Sequence, residues 1–147
     1  NYVGMLVLAV VVCMTPACKK KSEDPQPEEE TTPATAGSFT AKVDGVAKSY
    51  PVNYYYLNSG ILVVNAAETT GASAGIALMI FQGKVGTFTI NGSTIMGYYT
   101  NGAKDDSKSG QIVISKLENN KVSGTFNFVT QAGVKVTDGA FTEIAIQ

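Results

Sequence analysis

Two residue types in this chain could carry chemistry: cysteine as a site of lipid attachment and tyrosine as a binding side chain. The 147 residues include two Cys and seven Tyr but no His and no Trp, and all 11 basic residues are Lys. Without His, the chain has no Ser–His or Cys–His nucleophile pair and no imidazole metal ligand. Without Arg, it has no bidentate clamp for phosphate or carboxylate. This inventory favours anchoring and binding over catalysis.

The segment that leads to Cys18 has the features of a lipoprotein signal. Residues 3–14 (VGMLVLAVVVCM) form an apolar run, too short for a transmembrane helix, which needs about 20 residues. The run fits the hydrophobic region of a secretory signal peptide. Small residues at Thr15 and Ala17, three and one positions before Cys18, resemble a bacterial lipobox. We predict a signal peptide over residues 1–17, its basic start lying upstream of Asn1, and acylation of Cys18.

Three other interpretations of the two cysteines compete with acylation of Cys18. Cys13 is the rival acceptor, but it lies inside the apolar run and follows the bulky Val12. An ordinary signal peptide with two incidental cysteines is the second alternative. A disulfide is less favoured still, because cleavage before Cys18 would remove Cys13 and leave Cys18 alone.

Residues 18–38 have the composition of a tether. After Cys18 they carry three Lys, five acidic residues and three Pro, and such a segment cannot bury enough apolar surface to fold. As a coil, these twenty residues span about 25 Å. Acidic residues soon after the lipidated Cys resemble the surface-export signal of Bacteroidota lipoproteins. We therefore expect an outer-membrane lipoprotein displayed on the cell surface, with a periplasm-facing anchor as the alternative.

Residues 39–147 have the composition of one all-β domain. They contain 11 Val, 9 Ile and 11 Thr against 4 Leu, and β-branched residues favour strands. Apolar and polar residues alternate, and Gly- or Asn-containing turn signals recur at the spacing of an antiparallel sheet. We predict a single antiparallel meander of about 8–10 strands that closes as a sandwich or a barrel. The predicted strands are 38–44, 46–50, 52–57, 61–68, 75–82, 86–91, 94–100, 111–118, 121–131 and 134–146, the last bulged at Asp138-Gly139.

Several positions make this prediction more specific. Pro51 cannot donate to a ladder, so it should mark an edge or a break. Residues 76–81 (IALMIF) are apolar on both faces, which predicts a central strand that is covered on both sides or pairs one face with a partner. Residues 101–110 are polar and are predicted to connect two strands. Large side chains should fill the interior, namely Phe39, Phe81, Phe88, Phe126, Phe128 and Phe141.

Several motifs together resemble a known kind of protein. The lipobox and acidic linker are followed by F-x-A-x-V-D-G from Phe39, V-S-G-T-F-N-F from Val122 and V-T-D-G-A-F from Val136. This combination resembles small uncharacterised lipoproteins of Bacteroidota that carry a C-terminal all-β domain. The resemblance covers essentially the whole chain. It implies a location and a fold but no chemistry, because the function of those proteins is not established.

Tyrosine supplies the candidate binding surface. Strand periodicity separates Tyr54 and Tyr56 from Tyr55, and Tyr98 from Tyr99, so each segment should expose a ring. Exposed rings beside Asn side chains suit sugar recognition, since rings stack on apolar sugar faces while amides bond hydroxyls. The alternative is that Tyr simply suits half-buried strands. The predicted surface comprises Tyr54, Tyr55, Tyr56, Tyr98 and Tyr99.

Other candidate sites are weaker. Asp105 and Asp106 could offer oxygen ligands to Ca²⁺, but flanking Lys residues favour a solvated hairpin loop, and we predict no metal or other cofactor. Ser115 and Lys116 should point to opposite faces of a strand and so cannot form a nucleophile pair. Residues 39–147 hold eight Lys and seven acidic residues with no basic cluster, which argues against nucleic-acid binding. We therefore expect no enzymatic activity.

Three functions remain. The first is a membrane-anchored binding module for a glycan or protein partner. The second is a lipocalin-like barrel that encloses a small apolar ligand, which requires a cavity of about 300–1,000 Å³. The third is a structural subunit of an envelope complex that uses the apolar strand 76–81. The many Phe residues favour a packed interior and hence surface binding.

Overall fold

The structure is a computed structural model that describes residues 37–68 and 74–146, except for the side chains of residues 53–56. The described residues belong to one compact unit, residues 32–147. Its buried core runs from Phe39 to Ile144, so this unit contains its own hydrophobic core. The predicted signal peptide, Cys13, Cys18 and residues 19–36 of the predicted tether lie outside the described residues, whereas Ser38, at the end of the predicted tether, begins the first strand.

The described part of the chain is all-β, as predicted. Its ten strands alternate with short connections, and the predicted ends of most strands agree to within one or two residues. The strands are β1 (Ser38–Val43), β2 (Val46–Tyr50), β3 (Val52–Asn58), β4 (Ile61–Ala67), β5 (Gly75–Phe81), β6 (Gly86–Thr89), β7 (Ile95–Asn101), β8 (Ala103–Glu118), β9 (Lys121–Thr130) and β10 (Lys135–Ala145).

The strands form one curled antiparallel sheet. Their order is β2-β1-β10-β9-β8-β7-β5-β4-β3, with β6 paired to β8 beside this path. Because β2 passes into β3 through Pro51, a single residue links the two ends of the path. The Pro51 carbonyl accepts a hydrogen bond from the Ala67 amide at 3.1 Å. The predicted meander and the predicted break at Pro51 are both confirmed.

Strand β8 is longer than predicted and joins the two halves of the sheet. Its first residues pair with β7, from Asn101↔Ala103 to Tyr98↔Asp106, whereas its later residues pair with β6. The prediction of a polar connection over residues 101–110 is therefore wrong, since the chain turns at Asn101-Gly102 alone. This strand can contain polar residues because one of its faces is exposed to solvent. On the other face, the buried Ser107 has a partner, since its Oγ accepts a hydrogen bond from the Gly97 amide at 2.9 Å.

Neighbouring strands of the curled sheet run antiparallel, so the connections that link them lie at its two ends. We call one end the base. It carries the hairpins at residues 58–60 and 119–120, and both termini of the described domain lie there. Gly37 donates to the Thr142 carbonyl, and Ile146 donates to the Asn120 carbonyl. We call the other end the tip; it carries the connections at residues 44–45, 101–102 and 131–134, and the ends of β4 and β5 beside Glu68 and Ala74.

Aromatic side chains fill the centre of the domain. The ring centroid of Phe126 lies 5.0 Å from that of Phe39, 6.3 Å from Phe128 and 6.3 Å from Phe141. These four rings are buried, as predicted, and Phe88 is partly buried and packs against the hydrophobic core. The prediction for Phe81 is wrong. It ends β5 on the face opposite the buried Ile80 and is 37% exposed.

Strand β5 is central, as predicted, lying between β4 and β7. One face contributes Ile76, Leu78 and Ile80 to the core. Ala77 and Met79 on the other face are half-buried. The predicted bulge in β10 is also confirmed, because the register shifts between Val136 and Gly139 and Asp138 between them has φ +50°.

Candidate binding surface

The structure describes the side chains of two of the five predicted tyrosines. Residues 54–56 lie in β3, but their side chains are outside the described set. Tyr98 and Tyr99 lie in β7, and the predicted separation is confirmed. Tyr99 packs against the hydrophobic core, whereas Tyr98 lies on the outer face with Met96, two residues before it.

Tyr98 is held between β7 and the start of β8. Its hydroxyl donates to Sδ of Met96 at 2.8 Å, and the ammonium of Lys104 lies 3.9 Å from the centre of its ring. A cation over an aromatic face is attracted by the ring quadrupole. The ring is half-buried, so Tyr98 is less exposed than the sequence predicted.

Charged side chains of β8 complete this surface. Lys104 and Asp106 are two residues apart and so share a face of the strand, and their ion pair measures 2.8 Å. The hydrogen bond to Asp106 raises the pKa of Lys104, so the ammonium over the Tyr98 ring stays charged at neutral pH. Both side chains are more than half exposed, and they can therefore exchange this pairing for contacts with a ligand.

A small recess adjoins Tyr98. Its volume is about 140 Å³, below the range of about 300–1,000 Å³ for small-molecule sites. A recess of this size accepts one group of a larger ligand. We call it the Tyr98 recess; its lining residues are Gly92, Met96, Gly97, Tyr98, Asp106, Ser107 and Gln131.

Two local features shape the backbone around the recess. Next to Gly92, the Oδ1 atom of Asn91 accepts hydrogen bonds from the amides of Ser93, Thr94 and Ile95 at 2.9–3.0 Å. A Cβ atom at Gly97 would lie 2.9 Å from the ring of Phe128. Glycine is therefore needed there if β7 is to pass over that ring.

The carboxylates that the sequence offered as a possible Ca²⁺ site lie on opposite faces of β8. Asp106 faces outward to Lys104. Asp105 turns toward the β9–β10 connection, where its Oδ1 accepts from the Ala132 amide at 3.3 Å. No group of three His, Cys, Asp or Glu side chains that could hold a metal occurs in the described ranges.

Tyr50 is the most buried of the described tyrosines. Its side chain is 3% exposed, and its hydroxyl has no hydrogen-bond partner in the described structure. Burial, the nearby Tyr99 phenol and the Glu68 carboxylate raise the pKa of Tyr50 to about 12. Burial together with Asp44 and Glu68 also raises the pKa of Tyr99. Both phenols are therefore protonated at neutral pH.

The prediction that Ser115 and Lys116 point to opposite faces of the strand is wrong, and each contacts another residue. The Ser115 hydroxyl donates to the Ser123 carbonyl at 3.1 Å, and Lys116 forms ion pairs with Glu118 and Glu143. Both residues are exposed, because a bulge shifts the register between Ile114 and Lys116.

Three residues of the candidate surface were missed from sequence. The sequence contains a signal for Met96, because a residue two positions before Tyr98 in a predicted strand lies on the same face as Tyr98. The sequence pattern predicts a connection at Lys104, and only the extension of β8 brings its side chain over the Tyr98 ring. Gln131 reaches the recess only through the fold, since its backbone N–H donates to the Asp106 carbonyl on the neighbouring strand β8.

The sequence matches a recognised family over most of its length. A domain of unknown function, DUF6252, covers residues 35–145. The chain belongs to the DUF6252 family. Comparisons with curated proteins and with solved structures found no match. Within the described part of this DUF6252 chain, no helix is long and apolar enough to cross a membrane.

Proposed function

We propose that this DUF6252 protein is an envelope lipoprotein that presents its β domain as a binding module. The proposed anchor is an acylated Cys18, the proposed location is the outer membrane, and the proposed orientation is toward the cell surface. The observation that carries the binding proposal is the Tyr98 recess. There an aromatic ring, two exposed charges and a small cavity meet on the outer face of the sheet.

The size of the recess favours a polymeric ligand. A cavity of about 140 Å³ can take one sugar unit or one side chain but not a typical free metabolite. The rest of such a ligand would lie along the outer face of β7 and β8. A glycan suits this arrangement, because the ring offers an apolar platform and Asp106 and Gln131 offer hydrogen-bonding groups. Lys104 covers one ring face, so its exposed side chain would swing aside when a sugar stacks.

The packed interior supports surface binding over a lipocalin-like mode. The rings of Phe39, Phe126 and Phe141 lie within 6.3 Å of one another at the centre of the domain. Native-like packing of this kind leaves little room for an enclosed ligand. The absence of His and Arg from the chain supports a non-catalytic role, since the commonest general base and the bidentate anion clamp are both missing.

A glycan array with the purified unit 32–147 tests the binding proposal. We expect selective, saturable binding to a subset of glycans and a loss of at least tenfold in affinity for Tyr98→Ala, which corresponds to about 1.4 kcal/mol. Tyr98→Phe should retain binding, because it keeps the ring. Thr87→Ala, an exposed change on β6, is the control.

Two results would contradict this proposal. In the first, the wild-type unit binds no glycan, and no protein co-purifies with it in a way that depends on Tyr98. The other is equal affinity in the wild type and Tyr98→Ala.

A further inference from the structure

A second cavity opens at the base of the barrel. Its volume is about 330 Å³, which reaches the range of small-molecule sites. Three aliphatic side chains from three different strands or strand ends form its wall: Leu57 of β3, Leu117 of β8 and Ile146 beyond β10. Glu118, Asn119 and Asn120 form its rim. We call it the base cavity.

Leu57 shows that the wall of the base cavity is incompletely covered. Its cross-strand neighbour is Leu62, which is 1% exposed and belongs to the core, whereas Leu57 is 37% exposed. Adjacent Leu117 and Ile146 pack against the core and are only partly buried. Apolar surface that remains in contact with water is a source of binding free energy when a ligand covers it.

A tight turn and a backbone hydrogen bond define the shape of the rim. Asn119 and Asn120 have φ values of +51° and +55°, the conformation of a tight two-residue hairpin. The Asn120 carbonyl also accepts a hydrogen bond from the Ile146 amide at 2.6 Å, which ties the chain beyond β10 to this hairpin. A preformed site loses less conformational entropy on binding.

The charges near the rim are already paired with each other. Glu118 contacts Lys116 at 3.3 Å, and Glu143 contacts Lys116 at 2.9 Å and Lys121 at 3.0 Å. Two lysines and two glutamates thus leave no net charge to attract a charged head group. The side-chain amides of Asn119 and Asn120 can donate and accept hydrogen bonds, and they suit an uncharged polar group.

We propose that the base cavity binds the aliphatic chain of a single-chain amphiphile whose polar head group is uncharged. The chain would cover Leu57, Leu117 and Ile146, and the head group would bond the amides of the 119–120 hairpin. This site is separate from the Tyr98 recess, and the proposal does not depend on glycan binding there.

Binding of n-octyl glucoside below its critical micelle concentration tests the proposal. Titration calorimetry and amide chemical shifts of the unit 32–147 report affinity and location. We expect saturable binding with shifts at Leu57, Asn119, Asn120 and Ile146. Octanoate and octyltrimethylammonium should bind at least fivefold more weakly. Glucose alone should not shift these amides; shifts confined to the Tyr98 recess would concern the glycan proposal instead.

Two variants and a matched control locate the site. Leu57→Asp should lower the affinity for octyl glucoside at least tenfold, and Leu57→Trp should block the cavity by filling it. Val46→Asp is the control, because Val46 is 59% exposed and lies beside the tip. The proposal is overturned by non-saturable binding, by equal binding of the charged amphiphiles, or by equal losses in folded Leu57 variants and Val46→Asp.

Discussion

Gly139 lies directly against the ring of Phe126 on the neighbouring strand. The two residues are cross-strand partners in the β10–β9 pair, and a Cβ atom at Gly139 would lie 2.5 Å from Cε2 of Phe126. The ring thus occupies the space that a side chain at residue 139 would fill. The position of the Phe126 ring therefore requires glycine at residue 139, next to the bulge at Asp138.

Gly139→Ala should destabilise the domain by overpacking. The added methyl group forces the buried Phe126 ring to move within a packed core, at a cost of about 1–3 kcal/mol. Urea denaturation measures the change. Thr125→Ala, an exposed change on β9, is the control, and a loss at Gly139→Ala no larger than that of the control would contradict the contact.

Phe126→Ala should have a larger effect. Phe126 is 2% exposed and contacts three other rings, so truncation leaves a cavity that costs about 3–5 kcal/mol. Phe81→Ala removes the same side chain from an exposed position and should cost clearly less. A loss below about 1 kcal/mol for Phe126→Ala would remove this residue from the core.

Tyr50→Phe should stabilise the domain at pH 7. The Tyr50 hydroxyl is buried without a partner among the described residues, and such a group carries a desolvation cost of about 1–3 kcal/mol. The variant keeps the ring and removes that cost. A lower free energy of unfolding in Tyr50→Phe would indicate that the hydroxyl has a stabilising partner.

The same variant should change how stability depends on pH. The fold raises the pKa of Tyr50 from 10.0 to about 12, so the folded state favours the protonated phenol. This stabilisation is complete below pH 10 and is lost as the pH rises to about 12. Thermal unfolding across this window should show a shallower decline in Tyr50→Phe, although Tyr99 still contributes. Identical slopes would argue against a buried phenol.

Metabolic labelling with a palmitate analogue tests the anchor. The wild-type chain should be labelled, Cys18→Ser should lose the label, and Cys13→Ser should keep it. Proteolysis of intact cells then tests the orientation, because a displayed domain is digested. Unchanged labelling of Cys18→Ser would exclude the proposed acylation site, and full protection from protease would favour the periplasm.

Much of the fold could be read from local sequence. Alternation from Phe39 to Val43 predicts β1, and Asp44-Gly45 and Asn119-Asn120 predict two tight turns, because these signals act between neighbours. The start of β8 could not be found in this way. Residues 103–109 include Lys104, Asp106 and Ser107, and only the pairing with β7 makes a strand of them.

The binding surface was harder to predict for the same reason. The separation of Tyr98 from Tyr99 follows from strand periodicity, but the position of Lys104 over the ring depends on the Asn101-Gly102 hairpin. The exposure of Phe81 depends on where β5 ends. The approach of Gln131 depends on the extension of β8 past residue 110, which places Asp106 beside the end of β9.

The pairing of β1 with β10 has a consequence for biosynthesis. A chain that leaves a ribosome or a translocation channel N-terminus first exposes β1 long before residues 135–145 follow. Until then, the backbone groups on one side of β1 and one side of β9 have no partner, and such edges promote aggregation. A premature stop before Lys135 would therefore produce an open sheet with two adhesive edges instead of a slightly smaller barrel.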